Sequence, residues 1–355
     1  MTGRDEYFKI SKNVGAKVDC CLEEYLKKNI AGKEKQILYD AVLKKKIGTQ
    51  KLRANILYLS YCTFANKDPE DDNSFSKNII SLCTATELMI WSQYMVNWIY
   101  DSKANIIDNT IRKKTAVSAN GLLSDAITLA MNTGAEYVLP MLTINDYVIA
   151  SFTPEINGMN IANKKLLENR EEYFSIYNNN YAIPGVGKFF EGLVEMGATM
   201  AKYENHTKIE LFAKIFCEFG RDHETLNALG DFVIDTDLTH EKSPIDQYSD
   251  IKNNTLTPPI WHLYNNSSDT DKEILLTKAG MPLNLEEKKY FLKQLFNTGT
   301  YNYLVKRLKH QGRAYKKQVS NLEFPKKASN AICQLLSVYE SNKIYHQLKD
   351  DYKNI

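Results

Sequence analysis

Asp231 and Asp235 stand four residues apart at the end of an apolar helical repeat, so both carboxylates project from one face about one turn from each other. Two anions held that close repel unless a cation joins them. With Asp237 as a third carboxylate, the group offers the oxygen ligands that Mg2+ favours, leaving room for water and substrate phosphate in the shell. The same residues also fit an acidic helix end followed by a solvated loop. Competing metal chemistries are weak: the six histidines are scattered with no pair three or four apart, and the six cysteines contain no C-x-x-C. A zinc site and a disulfide framework are both disfavoured, and carboxylates are the better candidates.

The elements that must position these groups read as helices. Apolar residues recur every three to four positions over 19–28, 37–45, 51–62, 79–100, 122–131, 188–203, 208–222, 225–234, 286–296, 301–317 and 326–345. Only the β-branched run 139–152 is ambiguous, and one extended stretch does not make a sheet. Polar breaks at 65–74, 156–164, 177–187, 236–257 and 265–271 read as loops, with no interdomain linker and no repeat of fixed period. The 355 residues include 16 Gly and 9 Pro, few turn signals for that length. A single all-α domain over residues 1–355 is the simplest organisation. With 45 Lys+Arg against 43 Asp+Glu the net charge is +2, which excludes a generic polyanion or nucleic-acid binder. No stretch approaches the ~18 uninterrupted apolar residues of a membrane helix, and the first residues carry no apolar signal region. A cytoplasmic protein with no integral membrane segment is expected.

Three segments carry a resemblance. Phe219-Gly220-Arg221 leads through Asp231-Phe232-Val233-Ile234-Asp235 to Asp250-Ile251-Lys252-Asn253-Asn254-Thr255-Leu256-Thr257-Pro258-Pro259. This run resembles the second aspartate-rich region of the trans-polyprenyl diphosphate synthase family, with Y-G-R, D-D-x-x-D and D-L/I-x-x-G-K-x-T-L-P. Near the start, Gly48-Thr49-Gln50-Lys51-Leu52-Arg53-Ala54 stands in place of G-G-K-R-x-R-P. Arginine suits a phosphate because its planar fork donates two parallel hydrogen bonds; a K-x-R pair is also an ordinary solvated helix start. The helix from Glu87 to Asp101 resembles E-x-x-H followed by the first D-D-x-x-D, which falls on Asn97-Trp98-Ile99-Tyr100-Asp101. Downstream, Arg112-Lys113-Lys114 resembles R-R-G and Ser124-Asp125 a G-D pair.

The resemblance implies an isoprenoid synthase helical bundle around a deep apolar cavity. At its solvent-facing rim Asp101, with Asn97 or Asp108, would face Asp231 and Asp235 across Mg2+ and an allylic isoprenoid diphosphate; Asp108 is otherwise a surface residue. Lys51, Arg53, Arg112 and Lys113 would bind substrate diphosphate, and Asp101, Asp231 and Asp235 would be the catalytic carboxylates. A homodimer is compatible with the resemblance. Departures cluster where the family grips diphosphate: Gln50 replaces a lysine, Ile90 the histidine and Ala228 the glutamine, while no K-T pair survives in 178–188. Those losses favour a class I terpene synthase, which needs one substrate, over a prenyltransferase that condenses isopentenyl diphosphate with an allylic diphosphate. A third reading is a catalytically weak partner subunit, suggested by the degenerate Asn97–Asp101 motif. Trp91, Tyr94, Trp98 and Tyr100 crowd that helix, either to stabilise a carbocation with their ring faces or simply to pack.

Overall fold

The computed structural model describes residues 3–29, 51–101, 109–151, 158–234 and 247–355. Among these the chain is helical with no named strand, the single exception to helix and loop being an isolated antiparallel bridge between Asn160 and Thr255. Two compact units are present, the first formed by Met1–Ile149, Lys188–Cys217 and Lys316–Leu335, the second by Ala150–Gly187, Glu218–Tyr315 and Leu336–Ile355.

In the first unit α1 (Gly3–Asn29) buries Ile10, Val14, Val18 and Leu22, a four-residue repeat that presents one apolar stripe. It packs on α2 (Leu52–Phe64) and α3 (Lys77–Asp101). α2 is buried along every residue from Ala54 to Phe64, the signature of a helix enclosed on all sides. α3 runs along α4 (Asn109–Thr133), which leads to α5 (Val138–Ser151). The ambiguous run beginning at Leu139 is therefore helix through Ser151, with Ile144 buried in the core. Phe64, Phe212 and Phe324 pack edge to face, with ring centroids 5.0–5.6 Å apart.

α2 also lies against α8 (Lys188–Ala201), and the approach is close because Gly197 faces it. A Cβ at Gly197 would stand 2.7 Å from the Ser60 Cβ and 2.9 Å from the Tyr61 backbone nitrogen. Gly197→Ala is expected to lower the melting midpoint by forcing two buried helices apart, with an overpacking cost of about 1–3 kcal/mol; a thermal melt checks it.

The second unit begins with α6 (Lys164–Glu168) and α7 (Arg170–Ile176), each capped by an asparagine side chain, Asn163 and Asn169. The stretch Tyr177–Gly187, read as a loop, is π-helical, and it kinks at Gly185 (φ −78°, ψ −107°) beside Pro184. α9 (His206–Gly230) contributes its first half to the first unit and its second to this one. The expected helices over 208–222 and 225–234 merge into this one helix, because the polar residues between them include no Gly or Pro to break it, but it stops at Gly230, so Asp231 stands past its end rather than on a helix face. There follow α10 (Ser249–Lys252), α11 (Pro258–Asn265), α12 (Asp269–Lys278), α13 (Leu285–Asn297), α14 (Thr300–Ser320), α15 (Lys326–Leu336) and α16 (Lys343–Lys353). The expected helix 326–345 divides at α15 and α16 because Asn342 caps a new start through the Ile344 N–H. The helix expected over 37–45 lies outside the described residues.

Candidate functional site

Asp231 follows the last residue of α9, where Phe232 and Val233 turn into the core. Its carboxylate is buried, the residue 4% exposed. One oxygen, Oδ2, accepts hydrogen bonds from the Ser249 hydroxyl at 2.7 Å and the Asp250 N–H at 3.2 Å. The carboxylate therefore holds the start of α10 instead of facing solvent, because the returning chain covers it. Asp250 in turn accepts from the Thr257 hydroxyl at 3.0 Å, and its carbonyl accepts the Thr255 N–H at 2.7 Å. The residues of the resembling D-I-K-N-N-T-L-T-P run thus fold back on the aspartate that begins the motif.

Tyr248 adopts a left-handed backbone (φ 56°), its N–H donates to the Asp231 carbonyl, and its hydroxyl bonds the Phe232 and Lys288 carbonyls. Burial, and then the charges of Asp351 and Asp231, push its phenol pKa well up, so it stays a donor. The Ile234 N–H donates to Asp351 at 2.9 Å and the Gln247 amide to the Ile234 carbonyl at 2.8 Å. These bonds tie together the residues that flank 235–246. Asp235 and Asp237 lie outside the described residues.

Phe219-Gly220-Arg221 serves packing and charge. The buried Phe219 carbonyl accepts the Tyr339 hydroxyl, and Gly220 lets the Val186 carbonyl approach to 2.5 Å of where a Cβ would stand. Arg221 Nε donates to Asp222 at 3.2 Å, the Tyr315 hydroxyl donates to the same carboxylate at 2.6 Å, and Arg307 stands 3.9 Å away. Asp222 is 1% exposed. Burial opposes the Arg221 charge, but the Asp222 carboxylate outweighs it and holds the guanidinium pKa above its ordinary value. The sequence held a signal for this cluster. Phe219, Asp222, Leu226 and Leu229 form one helical stripe, and an aspartate on a buried stripe requires partners.

In the first unit Lys51 is the N-cap of α2, and its side chain is 1% exposed. Nζ lies 3.1 Å from Asp19 Oδ1, on α1, and 5.8 Å from the Trp91 ring centroid. Arg53 donates to the Tyr94 hydroxyl at 2.7 Å and stands over that ring at 5.6 Å. The Glu87 carboxylate, also buried, accepts the Ala54 N–H at 3.2 Å. Ile90, at the histidine position, is core. On the same helix Ser92 and Gln93 are buried, Gln93 bonding Asn145 of α5, while Tyr94 is exposed.

Asn97 is half-buried; the Asp101 backbone ends α3, and its side chain, like Asp108, lies outside the described part. Arg112 is half-buried and Lys113 exposed near the start of α4. Asp125, of the Ser124-Asp125 pair, accepts the Tyr25 hydroxyl at 3.2 Å; burial first, and then this carboxylate, push the Tyr25 phenol up to about 12. Among the described residues no group of three His, Cys, Asp or Glu side chains is placed to hold a metal, and no helix is long and apolar enough to cross a membrane. All six cysteines lie among the described residues, and none is in a disulfide.

No protein family's sequence profile matches the chain, and no curated protein does. Solved structures match it over nearly its whole length. A polyprenyl synthase from Caulobacter crescentus, complexed with calcium and isoprenyl diphosphate, has a TM-score of 0.75 at 12% identity, covering 96% of this chain and 98% of its own. A geranylgeranyl pyrophosphate synthase from Lactobacillus brevis gives 0.68 at 13%, covering 91% and 95%. A decaprenyl diphosphate synthase from Rhodobacter capsulatus gives 0.68 at 11%, covering 98% and 99%. At these identities the likeness defines the fold. The chain has the all-α isoprenoid synthase fold of the polyprenyl diphosphate synthases.

Proposed function

We propose that this protein ionises an allylic isoprenoid diphosphate. The observation that carries the reading is the fold, shared from end to end with polyprenyl synthases, one of them holding isoprenyl diphosphate. In the reaction the C–O bond breaks, the electron pair leaves with diphosphate and an allylic cation remains. Asn97 and Asp231, with the Asp101 side chain, Asp108 and Asp235 outside the described part, are oxygen donors of the kind Mg2+ takes. That ion, when bound, supplies positive charge against the departing diphosphate. Arg112 and Lys113 add cations at the start of α4, and Asp231 keeps Ser249 and Asp250 in register through its buried carboxylate.

What traps the cation separates two reactions. The named activities of the structural neighbours support chain elongation, in which the double bond of isopentenyl diphosphate attacks the cation and a proton is lost. A terpene synthase, which folds its own double bonds onto the cation, is favoured by a feature of this chain: Lys51, at the cosubstrate position, is buried against Asp19, and Ile90 brings no donor.

Incubation with Mg2+ and geranyl, farnesyl or geranylgeranyl diphosphate, with and without isopentenyl diphosphate, tests both. Diphosphate release that depends on the allylic substrate is the expected result. A longer prenyl diphosphate formed only with isopentenyl diphosphate identifies elongation; a hydrocarbon or alcohol from the allylic substrate alone identifies a terpene synthase. No turnover of any of the three would remove the enzymatic reading and leave that of a partner subunit.

A further inference from the structure

We propose that Asp19 is an internal anion that competes with a substrate diphosphate for Lys51, and so sets how tightly this chain takes a second diphosphate. The inference rests on the allylic diphosphate reading above for its biological meaning, but the geometry that carries it is local to the first unit.

α2 is 13 residues long, and its first turn contains no acidic residue. The first N–H groups of such a helix have no partner within it, and with the helix dipole they attract negative charge. Lys51 at the cap and Arg53 inside the first turn add two cations to that end. Elementary electrostatics therefore makes it an anion-binding end. Two carboxylates of this same chain already serve it: Glu87 accepts the Ala54 N–H, and Asp19 faces Lys51 at 3.1 Å.

Asp19 is held there by the whole of α1. The buried residues Val14, Val18 and Leu22 lie one turn apart on either side of it. Asn55 of α2 donates to Ser11 of α1 at 3.0 Å and to the Lys51 carbonyl at 2.8 Å, locking the two helices in register beside the pair. Further along, Tyr25 donates to Asp125 of α4. The Asp19 side chain is 13% exposed and that of Lys51 1%, so the attraction between them is screened far less than at a surface. A diphosphate approaching Lys51 has to displace a carboxylate fixed on a packed helix or share the lysine with it, and like charges at that range repel. Lys51 and Arg53 therefore do not form an open cationic pocket, although their types and spacing in the sequence suggest one.

Asp19→Asn removes the competing charge and keeps the shape. Titration calorimetry in EDTA, with inorganic diphosphate as the probe, compares the unaltered protein, Asp19→Asn and the double variant Asp19→Asn/Lys51→Gln. The expected result is binding at least about tenfold tighter in Asp19→Asn, with the gain abolished in the double variant. Equal affinity in the unaltered protein and Asp19→Asn would overturn the proposal, as would a gain that survives loss of Lys51. Breaking one side of a buried ion pair is destabilising, so Asp19→Asn is also followed by far-UV circular dichroism. If it is unfolded in buffer, inorganic diphosphate is expected to restore the helical signal, and failure to do so counts against the proposal. No allylic substrate or turnover enters these readouts. Inactivity in the product assay would therefore leave this test intact, and failure of this test would leave the ionisation reading standing.

Discussion

Asp231→Asn is expected to reduce turnover of an allylic diphosphate on the order of 10²-fold or more, the scale of losing one preorganised electrostatic group, while leaving the protein folded. The argument depends on how the carboxylate is used. Asparagine keeps the volume and one carbonyl oxygen, so it can still accept from the Ser249 hydroxyl or the Asp250 N–H that Oδ2 now serves. What it loses is the negative charge. Asp231→Ala removes charge and acceptor together. It takes the acceptor from a half-buried hydroxyl and a half-buried backbone N–H, a cost toward the lower end of about 1–3 kcal/mol because water can reach them. The pair of variants therefore separates two roles. Diphosphate-release rates and thermal melts on both are the measurement. Normal turnover in Asp231→Asn together with a lowered melt in Asp231→Ala would make Asp231 a structural cap of α10 and take it out of the catalytic set.

That double use explains why the site was only half legible in the sequence. The spacing of Asp231 and Asp235 and the run from Asp250 to Pro259 were visible as a motif, and in the structure Asp231 and Asp250 do lie together. The burial of Asp231 was not visible, because it depends on Ser249 and Asp250, 18 and 19 residues later in the sequence, bonding its carboxylate. The same limit applies to Lys51. Read locally, it is a solvated helix start or a phosphate cation; its carboxylate partner lies 32 residues earlier on another helix, and no short-range pattern connects them. Helices with a clear apolar stripe, such as those beginning at Lys188 and Lys326, were legible because burial on one face leaves a period of 3.6. α5 was ambiguous because β-branched residues blur that period. The π-helical turn at 177–187 was missed because Pro184, Gly185 and three successive asparagines carry the composition of a loop.

Asp222→Ala is expected to be the most destabilising single change in the second unit, by about 3–5 kcal/mol, the range for breaking one side of a buried ion pair. Asp222 is 1% exposed; Arg221 from α9 and Tyr315 from α14 donate to it, and the Arg307 cation of α14 stands 3.9 Å away. Truncation leaves the Arg221 charge without the carboxylate that outweighs its desolvation. It also removes the acceptor of a phenol whose pKa is raised by burial first and by Asp222 next, and which therefore remains a protonated donor. Arg221 and Arg307 retain 18% and 25% side-chain exposure, so water relieves part of the penalty and the lower half of the range is the better expectation. Asp222→Asn should cost less than Asp222→Ala, because an amide oxygen still accepts from Tyr315. Urea unfolding followed by circular dichroism gives the free energies, and a cycle with Tyr315→Phe isolates the phenol's share. Equal stability of Asp222→Ala and the unaltered protein would mean that the two arginines find other partners once the carboxylate is gone, and that α9 and α14 are held by their apolar faces alone.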